Sequence, residues 1–380
     1  MFELLELLEL FELRELRRMT SDRRGFRSGE PFFLQWHITD RCNLSCGHCY
    51  RQGAKTEPSL ADLRAVWENL LDLRRSMPQD KARVQLAGGE PMLSPHLFTV
   101  LDWAAEAGLQ ARMLSNGTLI DRKAAGELKA HACSIVQLSL EGMEDAHDAV
   151  RGEGTFEKVL EAARCLREAG VGVTFAVTLT KASAADLAGI LALAERFADR
   201  LGFHRLVPCG SGKAMKDSML SPAELKKSFD LIHGFKAEHP KLDIPLRDPL
   251  WKPFFRCAEQ GREADGCSAG YCGICVDADA AVYACRRMPI PLGSALKTPL
   301  AELWESPEME ALRDRDRLKG WCGRCPLRWR CGGCRAIGWA LTDDPMAEDP
   351  QCSFRPGLME RLGWKALSLA AEISSRQGGG

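Results

Sequence analysis

From residue 32 onward, short runs of apolar residues alternate with longer segments in which apolar residues recur every three or four positions. The short runs predict buried β-strands, and the longer segments predict amphipathic α-helices. The predicted strands cover residues 32–38, 83–87, 110–114, 135–140, 173–179 and 203–207. The predicted helices cover residues 60–75, 96–107, 122–130, 156–169, 184–197 and, after the last strand, 221–237.

Six strand–helix units in succession predict an α/β fold with a parallel sheet, because each helix carries the chain back to start the next parallel strand. A closed eight-unit barrel needs more units than this chain offers, so we expect a partial (β/α)6 barrel. In parallel α/β folds the functional loops lie at the carboxyl ends of the strands. Candidate functional residues are therefore expected directly after each strand.

Residues 1–30 have a different pattern, in which glutamates spaced by three are followed by a run of arginines. A spacing of three drifts by about 60° per step around an α-helix, so no clean apolar face results. We expect a solvated helical arm at 1–30, with a docking arm for a peptide substrate or partner as the alternative. The other expected units are the barrel (31–238), a Cys-rich domain (239–360) and a C-terminal helix and tail (361–380).

The composition is that of an ordinary globular protein, with 45% hydrophobic and 27% charged residues in a chain of 380. A net charge of −1 gives no general attraction to nucleic acid, and no apolar run is long enough to cross a bilayer. The first residues are acidic, with no small-residue cleavage site typical of a secretory signal. We therefore expect a cytoplasmic protein without a nucleic-acid or membrane partner.

The chain has 16 cysteines, which are unevenly distributed. Three lie between Cys42 and Cys49, and most of the others lie between Cys267 and Cys352. In a reducing compartment, dense and regularly spaced thiols more often bind metal than form disulfides. The distribution predicts two metal-binding regions.

The first region directly follows the first predicted strand and has the spacing CxxxCxxC, followed by Tyr50. Three thiolates on one short loop can bind three irons of a 4Fe–4S cluster and leave the fourth iron open to an outside ligand. A structural zinc site would need a fourth ligand, for which His48 is the local candidate, although so short a loop wraps a single zinc awkwardly.

Polar, Gly-containing loops follow the next three strands, and an arginine comes after them. Paired glycines let a backbone approach a ligand closely, and a carboxylate can accept hydrogen bonds from an ammonium group. Each loop alone is weak evidence, because glycine and serine are common in turns. The loops contain Gly88-Gly89-Glu90, Ser115-Asn116-Gly117 and Ser139-Leu140-Glu141-Gly142, and the arginine is Arg151.

The CxxxCxxC loop and the loops after it, taken in order, resemble the radical S-adenosylmethionine (SAM) superfamily. The resemblance implies that SAM binds the open iron through its amino and carboxylate groups. An electron from an external flavodoxin- or ferredoxin-type reductant then cleaves SAM to a 5′-deoxyadenosyl radical. The Gly88-Gly89-Glu90 loop would contact the SAM amino group and Arg151 its carboxylate. The family often has Asp where Glu141 stands. The implied cofactor-binding set is Tyr50, Gly88, Gly89, Glu90, Ser115, Asn116, Ser139, Glu141, Arg151, Thr178 and Val207, of which Thr178 and Val207 fit simple strand core at least as well.

The second cysteine region resembles the SPASM domain, a module that usually carries two auxiliary 4Fe–4S clusters. Paired CxxC units would also suit a zinc ribbon on spacing alone. Cys275 competes with Cys272 for one position, and Cys257 is a spare thiol. The resemblance assigns Cys267, Cys272, Cys285 and Cys334 to an inner cluster, and Cys322, Cys325, Cys331 and Cys352 to an outer one.

Three further cysteines lie outside both regions. Cys133 and Cys165 fall in apolar, helix-rich sequence and are expected to be buried core residues. Cys209 follows the sixth predicted strand on the functional side of the sheet. It is the candidate catalytic residue, as a hydrogen-atom donor or substrate contact, with an incidental loop cysteine as the other interpretation.

The resemblance implies chemistry more clearly than it implies a substrate. Radical SAM enzymes with this C-terminal module mostly modify peptides or proteins by forming crosslinks or oxidising a side chain, so a peptide or protein is the expected substrate. A smaller branch modifies tetrapyrrole side chains, and the residues after Arg205 together with the segment from Cys331 to Arg335 are similar to that branch. A non-catalytic zinc scaffold and an electron-transfer protein are minor alternatives.

Overall fold

The computed structural model describes residues 32–51, 53–76, 82–255 and 266–354. The predicted arm at 1–30, the predicted C-terminal helix at 361–380 and the spare thiol Cys257 lie outside these residues. Among the described helices, none combines the length and the apolar character needed to span a bilayer.

Six parallel strands form the first part of the sheet, as the apolar pattern predicts. Each strand pairs in parallel with the next one along the chain. The sixth begins three residues earlier than predicted, because its buried side chains alternate with less buried ones and so lack a continuous apolar run. The strands are β1 (Phe32–His37), β2 (Ala82–Ala87), β3 (Gln110–Ser115), β4 (Ile135–Ser139), β5 (Gly172–Leu179) and β6 (Arg200–Arg205).

The helices that connect these strands begin at recognisable capping residues. Ser59 and Ser221 each form a capping box with the third helical residue, and Asp121 accepts from the Ala124 amide. The predicted helix at 184–197 is two helices, because Thr180 caps a short first one and the chain is interrupted at Asp186. The helices are α1 (Leu60–Arg75), α2 (Leu97–Glu106), α3 (Arg122–Ala130), α4 (Glu144–Arg151), α5 (Thr155–Glu168), α6 (Lys181–Ala185), α7 (Leu187–Phe197) and α8 (Pro222–Glu238).

The Cys-rich region continues the same sheet. Strand β7 (Gly273–Val276) pairs in parallel with β1, and the antiparallel strands β8 (Ala281–Cys285) and β9 (Met288–Ser294) follow. The resulting order is β6-β5-β4-β3-β2-β1-β7-β8-β9. Gly273 has no side chain where the ring of Phe33 packs, so a Cβ there would clash with that ring. The barrel and the Cys-rich region therefore share one nine-stranded sheet.

Short helices complete the C-terminal region, and one buried arginine ties it to the far edge of the sheet. Arg205 at the end of β6 donates to Asp248 (2.8 Å), Asp349 (2.8 and 2.9 Å) and Gln351 (3.1 Å). These contacts bring β6 against the residues that follow the last described helix. The helices are α9 (Trp251–Phe255), α10 (Leu300–Trp304), α11 (Pro307–Arg313), α12 (Gly320–Arg324) and α13 (Arg335–Thr342).

Candidate active site

A cavity of about 390 Å³ lies at the carboxyl ends of the parallel strands, within the usual size range of small-molecule sites. Cys42, Cys46 and Cys49 line it together. Glu90 and Cys209 are not among the lining residues. The predicted cofactor-binding residues that line it are Tyr50, Gly88, Gly89, Ser115, Asn116, Ser139, Glu141, Arg151, Thr178 and Val207.

Three other segments of the barrel hold the three-cysteine loop in place. The Gly47 amide donates to the carbonyl of Val150 (2.9 Å), and the Ser211 amide donates to the carbonyl of Cys49 (2.8 Å). Asn116 donates through its side-chain amide to the Asn43 side chain (2.9 Å). The three thiols thus have a fixed arrangement that does not depend on the short loop alone.

The paired glycines after β2 fasten that loop to the start of the cysteine loop. The Gly89 amide donates to the carbonyl of Thr39 (3.1 Å), and the Glu90 amide donates to the carbonyl of Arg41 (2.8 Å). A Cβ on Gly88 would clash with the Thr39 carbonyl, and a Cβ on Gly89 would clash with that of Arg41. The glycines thus allow a close approach of two backbones, and since both also line the cavity, their predicted approach to a ligand stays a prediction.

Glu90 is fully buried behind the cavity wall, with 0% of its surface exposed. Its carboxylate accepts from Ser115 Oγ (2.8 Å) and from the amides of Asn116 (2.7 Å) and Met92 (3.2 Å). Burial raises the pKa of this carboxyl, although the hydrogen bonds oppose the rise. Glu90 therefore joins the loops after β2 and β3, and the contact with a SAM ammonium group stays a prediction.

Glu141 organises the other side of the cysteine loop. Its Oε1 accepts from Arg151 Nη2 (2.6 Å) and lies 2.8 Å from His48 Nε2, while Oε2 accepts from the Thr178 amide (3.2 Å). Burial alone would raise the pKa of Glu141, but the charges of Arg151 and His48 outweigh it and hold that pKa far below its usual value. Arg151 Nη1 also reaches Cys46 Sγ at 3.7 Å. Glu141, which stands where the resemblance leads one to expect Asp, thus orients Arg151, the predicted SAM-binding arginine, toward the cysteine loop.

A hydrogen-bonded chain that the sequence did not predict links the cysteine loop to β7. Tyr50 Oη lies 3.0 Å from His37 Nε2, and His37 Nδ1 lies 2.8 Å from Asp277 Oδ1. Burial alone would raise the pKa of Asp277, but its hydrogen bond with His37 and the nearby charges lower it to about 2. Asp277 follows β7, a strand that the apolar pattern did not predict, so the pairing had no signal in the sequence.

Two arginines and a histidine that the sequence also did not single out line the same cavity. Arg286 and Arg287 occupy the turn between β8 and β9, directly after the predicted metal ligand Cys285. His204 lies on β6, and its pKa is lowered to about 3 by burial and by the charges of the two arginines. One part of the cavity wall is therefore positively charged, with a neutral imidazole beside it.

The cysteines assigned to the outer cluster surround a small apolar cavity of about 20 Å³. The Gly333 amide points at Cys331 Sγ (3.4 Å) and the Asp349 amide at Cys322 Sγ (3.5 Å). Backbone N–H groups aimed at sulfur suit thiolates that carry a cluster. The cysteines that line this cavity are Cys322, Cys325, Cys331 and Cys352.

The cysteines assigned to the inner cluster lie on several segments. Cys272 precedes β7 and its carbonyl accepts from the Phe33 amide (3.0 Å), while Cys285 ends β8. Cys334 directly precedes α13, and Cys267 has the charge of Arg315 nearby. The competing thiol Cys275 lies on β7, so the choice between Cys272 and Cys275 stays open.

Burial alone would raise the pKa of Cys267. The charge of Arg315 and the backbone amides of Arg335 and Ala269 outweigh burial, so the pKa of this thiol is lowered. Arg315 and Arg335 lie beside this thiol and the Cys331–Cys334 segment. A buried positive charge favours the thiolate form, which is the form that binds metal.

The remaining cysteines do not line the main cavity. Cys133 and Cys165 are buried in the core, as predicted. Cys209 is also fully buried, and burial raises the pKa of its thiol to about 11, with Arg287 and Cys285 among the charged neighbours. Its proposed part in hydrogen-atom donation stays a prediction.

The donor sets fit iron–sulfur clusters by their chemistry and surroundings. A three-thiol loop borders a cavity large enough for a further ligand, and a four-thiol set surrounds an apolar pocket. Among the residues that the structure describes, no three Cys, His, Asp or Glu side chains form a compact group for a single metal ion.

Comparisons with known proteins agree with this arrangement. Residues 36–194 match the model of the radical SAM superfamily, and residues 267–326 match that of an iron–sulfur cluster-binding domain, SPASM. The chain is 28% identical to an AdoMet-dependent heme synthase of Methanosarcina barkeri, over 86% of this chain and 97% of that protein. It is 30% identical to an Fe-coproporphyrin III synthase of the same organism (83% and 86%) and 28% identical to the mycofactocin maturase MftC of Mycobacterium ulcerans (85% and 88%).

The fold is also that of a solved structure. SuiB of Streptococcus suis, bound to its precursor peptide SuiA, superposes with a TM-score of 0.70 at 17% identity, over 87% of this chain and 77% of that one. Taken with the three-cysteine cavity, these matches identify the chain as a member of the radical SAM superfamily, an enzyme whose C-terminal region is a SPASM iron–sulfur cluster-binding domain.

Proposed function

We propose that this enzyme cleaves SAM reductively and uses the 5′-deoxyadenosyl radical to modify a carboxylate-bearing side chain of a tetrapyrrole. The observation that carries the proposal is the composition of one cavity. Its wall holds the three-cysteine loop and Arg151 as well as the cationic pair Arg286 and Arg287. A single chamber can thus receive both SAM and an anionic substrate.

Residues of this chain bind and orient the cofactors. Cys42, Cys46 and Cys49 would hold the first 4Fe–4S cluster, which supplies the electron for SAM cleavage when reduced by an external flavodoxin- or ferredoxin-type protein. Arg151, held by Glu141, would bind the SAM carboxylate with its fork of donors. Two auxiliary clusters would be bound by the inner and outer cysteine sets, so the loaded enzyme would carry three.

The substrate assignment differs from the peptide that the sequence favoured. Two of the relatives named above are a heme synthase and an Fe-coproporphyrin III synthase, and both align over more than four-fifths of this chain. Tetrapyrroles of this kind carry several carboxylate side chains, and guanidinium groups bind carboxylates well. The cationic wall and these relatives together support a tetrapyrrole substrate.

A peptide substrate is the second candidate. It is supported by the similarity to MftC, a maturase that aligns over 85% of this chain. A peptide with an acidic side chain would use the same cationic wall, so the two candidates share the chemistry of recognition and differ in the scaffold that carries the carboxylate.

Anaerobic assays with SAM and dithionite test the proposal. We expect Fe-coproporphyrin III to be converted to a product of altered mass while 5′-deoxyadenosine forms in step with it. Replacing Cys42, Cys46 and Cys49 with Ala should abolish both, whereas Cys165→Ala should not. Survival of 5′-deoxyadenosine formation in the triple variant would refute the catalytic assignment, and SAM cleavage without any change in the porphyrin would refute the tetrapyrrole.

A further inference from the structure

We infer that Arg286 and Arg287 form a binding subsite for a carboxylate of the substrate, separate from the arginine that faces SAM. The inference rests on the proposed function and deepens it, because it names the residues and the chemical group through which the substrate is recognised. Both residues line the cavity and neither is part of the predicted cofactor-binding set.

Arg286 is positioned beside the cysteine loop. Its Nη1 donates to Gln35 Oε1 (2.7 Å), and its guanidinium lies over the ring of Tyr50, 5.6 Å from the ring centroid. Tyr50 directly follows Cys49 in the chain. Because one nitrogen is held by Gln35 and the plane is supported by the ring, the other donors of the fork are free to face the cavity.

Arg287 is positioned where the two ends of the open sheet meet. Its Nη1 donates to the carbonyl of Arg205 at the end of β6 (3.3 Å). Its Nε is buried and has no hydrogen-bond partner within the described ranges of the chain. A buried N–H group without a partner costs free energy, so a ligand that accepts from it gains a contact that the protein alone leaves unmade.

The charge balance separates these two arginines from the others that line the cavity. Arg151 is paired with Glu141 (2.6 Å), Arg205 with Asp248 and Asp349 (2.8 Å each), and Arg51 with Asp40. Within the described part of the chain, neither Arg286 nor Arg287 has a carboxylate within the 4.0 Å of an ion pair.

None of the carboxylates near the pair lies within ion-pair distance of it in the described part of the chain. His204 is neutral, and the negative neighbours that act on Arg287 are Cys285, Cys334 and Cys209, once they are thiolates, and the more distant Asp248, which is itself paired with Arg205. A cluster on those thiols would offset part of the Arg287 charge and leave Arg286 as the main contact. Because an uncompensated charge in a largely buried wall is costly, an anionic group of the substrate is the natural partner.

Two adjacent forks of this kind suit a carboxylate, which can accept two parallel N–H donors from one guanidinium. The SAM carboxylate has its own candidate partner in Arg151, whose Nη1 lies 3.7 Å from Cys46 Sγ. The pair is therefore assigned to a side-chain carboxylate of the tetrapyrrole. That carboxylate would anchor the substrate at one end of the cavity.

Optical titration of the reconstituted enzyme in the presence of SAM tests the subsite without relying on turnover. The probes are Fe-coproporphyrin III and its methyl ester, in which the carboxylates are masked, and binding is followed by the shift of the porphyrin absorption band. The wild type should bind the acid at least about tenfold more tightly than the ester. Arg286→Gln and Arg287→Gln should each bind the acid about tenfold more weakly than the wild type does and should bind the ester equally well. Arg286→Lys should recover part of the affinity for the acid.

Arg75→Gln on α1, where the side chain is 73% exposed, is the matched control and should bind both probes as the wild type does. Iron content should be unchanged in all variants, and Arg75→Gln should also retain the slow SAM cleavage that occurs without substrate. Equal binding of acid and ester by the wild type, or arginine variants that lose as much affinity for the ester as for the acid, would overturn the subsite. Failure of the wild type to bind either porphyrin would overturn both the proposed tetrapyrrole function and the subsite.

Discussion

Buried arginines of this chain have two kinds of surroundings. Arg205 is matched by carboxylates, whereas Arg315 and Arg335 are 1% and 0% exposed and donate to backbone carbonyls, with the side chain of Tyr271 as a further neighbour of Arg315. Arg315 Nε and Nη1 and Arg335 Nε and Nη2 have no hydrogen-bond partner among the described residues. Since both arginines lie beside Cys267 and the Cys331–Cys334 segment, the anions they would face are cluster thiolates and sulfides.

Replacing Arg315 with Gln should therefore move the midpoint potential of an auxiliary cluster to a more negative value, because the reduced cluster loses a neighbouring positive charge and N–H donors. Redox titration followed by electron paramagnetic resonance measures the shift. Arg317→Gln, an exposed arginine two residues away, is the matched control and should leave the potential unchanged. Identical potentials in both variants would show that Arg315 has no electrostatic part in the cluster.

His147 makes the stability of the enzyme depend on pH. Burial, with the charge of Arg151, lowers its pKa from 6.5 to about 4, and its Nδ1 accepts from the Glu141 amide (3.3 Å). Between these values the unfolded chain binds a proton that the folded chain does not, so the free energy of unfolding should decrease by about 2 kcal/mol from pH 7 to pH 5.

Urea unfolding of the cluster-free chain at several pH values measures this loss. In His147→Asn the fall from pH 7 to pH 5 should be smaller by about 2 kcal/mol, because the replacement does not titrate. If the free energy of unfolding fell equally with pH in the variant and the wild type, the assignment of this pH dependence to His147 would be wrong.

At the scale of elements, the loop after β2 and the cysteine loop act as one unit because of their glycines. Gly89→Ala would place a Cβ against the Arg41 carbonyl and push the two backbones apart. We expect the variant to lose the signal of the first cluster while the auxiliary clusters are retained, as measured by iron content and electron paramagnetic resonance.

Gly126→Ala is the matched control for Gly89→Ala. Gly126 lies within α3, and a Cβ there would meet nothing within 4 Å. The substitution should stabilise the protein by about 0.5–1 kcal/mol through helix propensity and leave the clusters intact. If Gly89→Ala kept its first cluster as fully as Gly126→Ala, the proposed role of the close backbone approach would be wrong.

The elements that the sequence predicted well are those with a long or regular apolar pattern. The first five strands and the helices α1, α2, α3, α5 and α8 have bounds within about two residues of the prediction, because apolar residues recur along each of them at the period of its element. Strands β7 to β9 were not predicted, since β7 is four residues long and all three lie among cysteines and turns that obscure a period of two. Asp277 and Arg286 were missed for the same reason, because their position at the site depends on those strands.

For the whole molecule, the shared sheet predicts that the barrel and the SPASM region unfold together. Buried tryptophans report on both, with Trp36 on β1 and Trp304 on α10. Chemical unfolding of the cluster-free chain should give coincident transitions by tryptophan fluorescence and circular dichroism. Gly273→Ala, which would set a Cβ against the Phe33 ring, should lower the midpoint of that single transition. Two separate transitions would show that the two regions fold independently.

The pairing of β1 with β7 also limits how far the three-cysteine loop can move relative to the thiols of the Cys-rich region. The three-cysteine loop leaves the end of β1, while Cys275 and Asp277 lie on or just after the strand hydrogen-bonded to it. A hinge between the SAM chamber and the auxiliary thiols would require breaking this ladder of backbone hydrogen bonds. Electrons that pass between clusters bound at these thiols would therefore cross neighbouring strands of one sheet, over a spacing set by their backbone pairing.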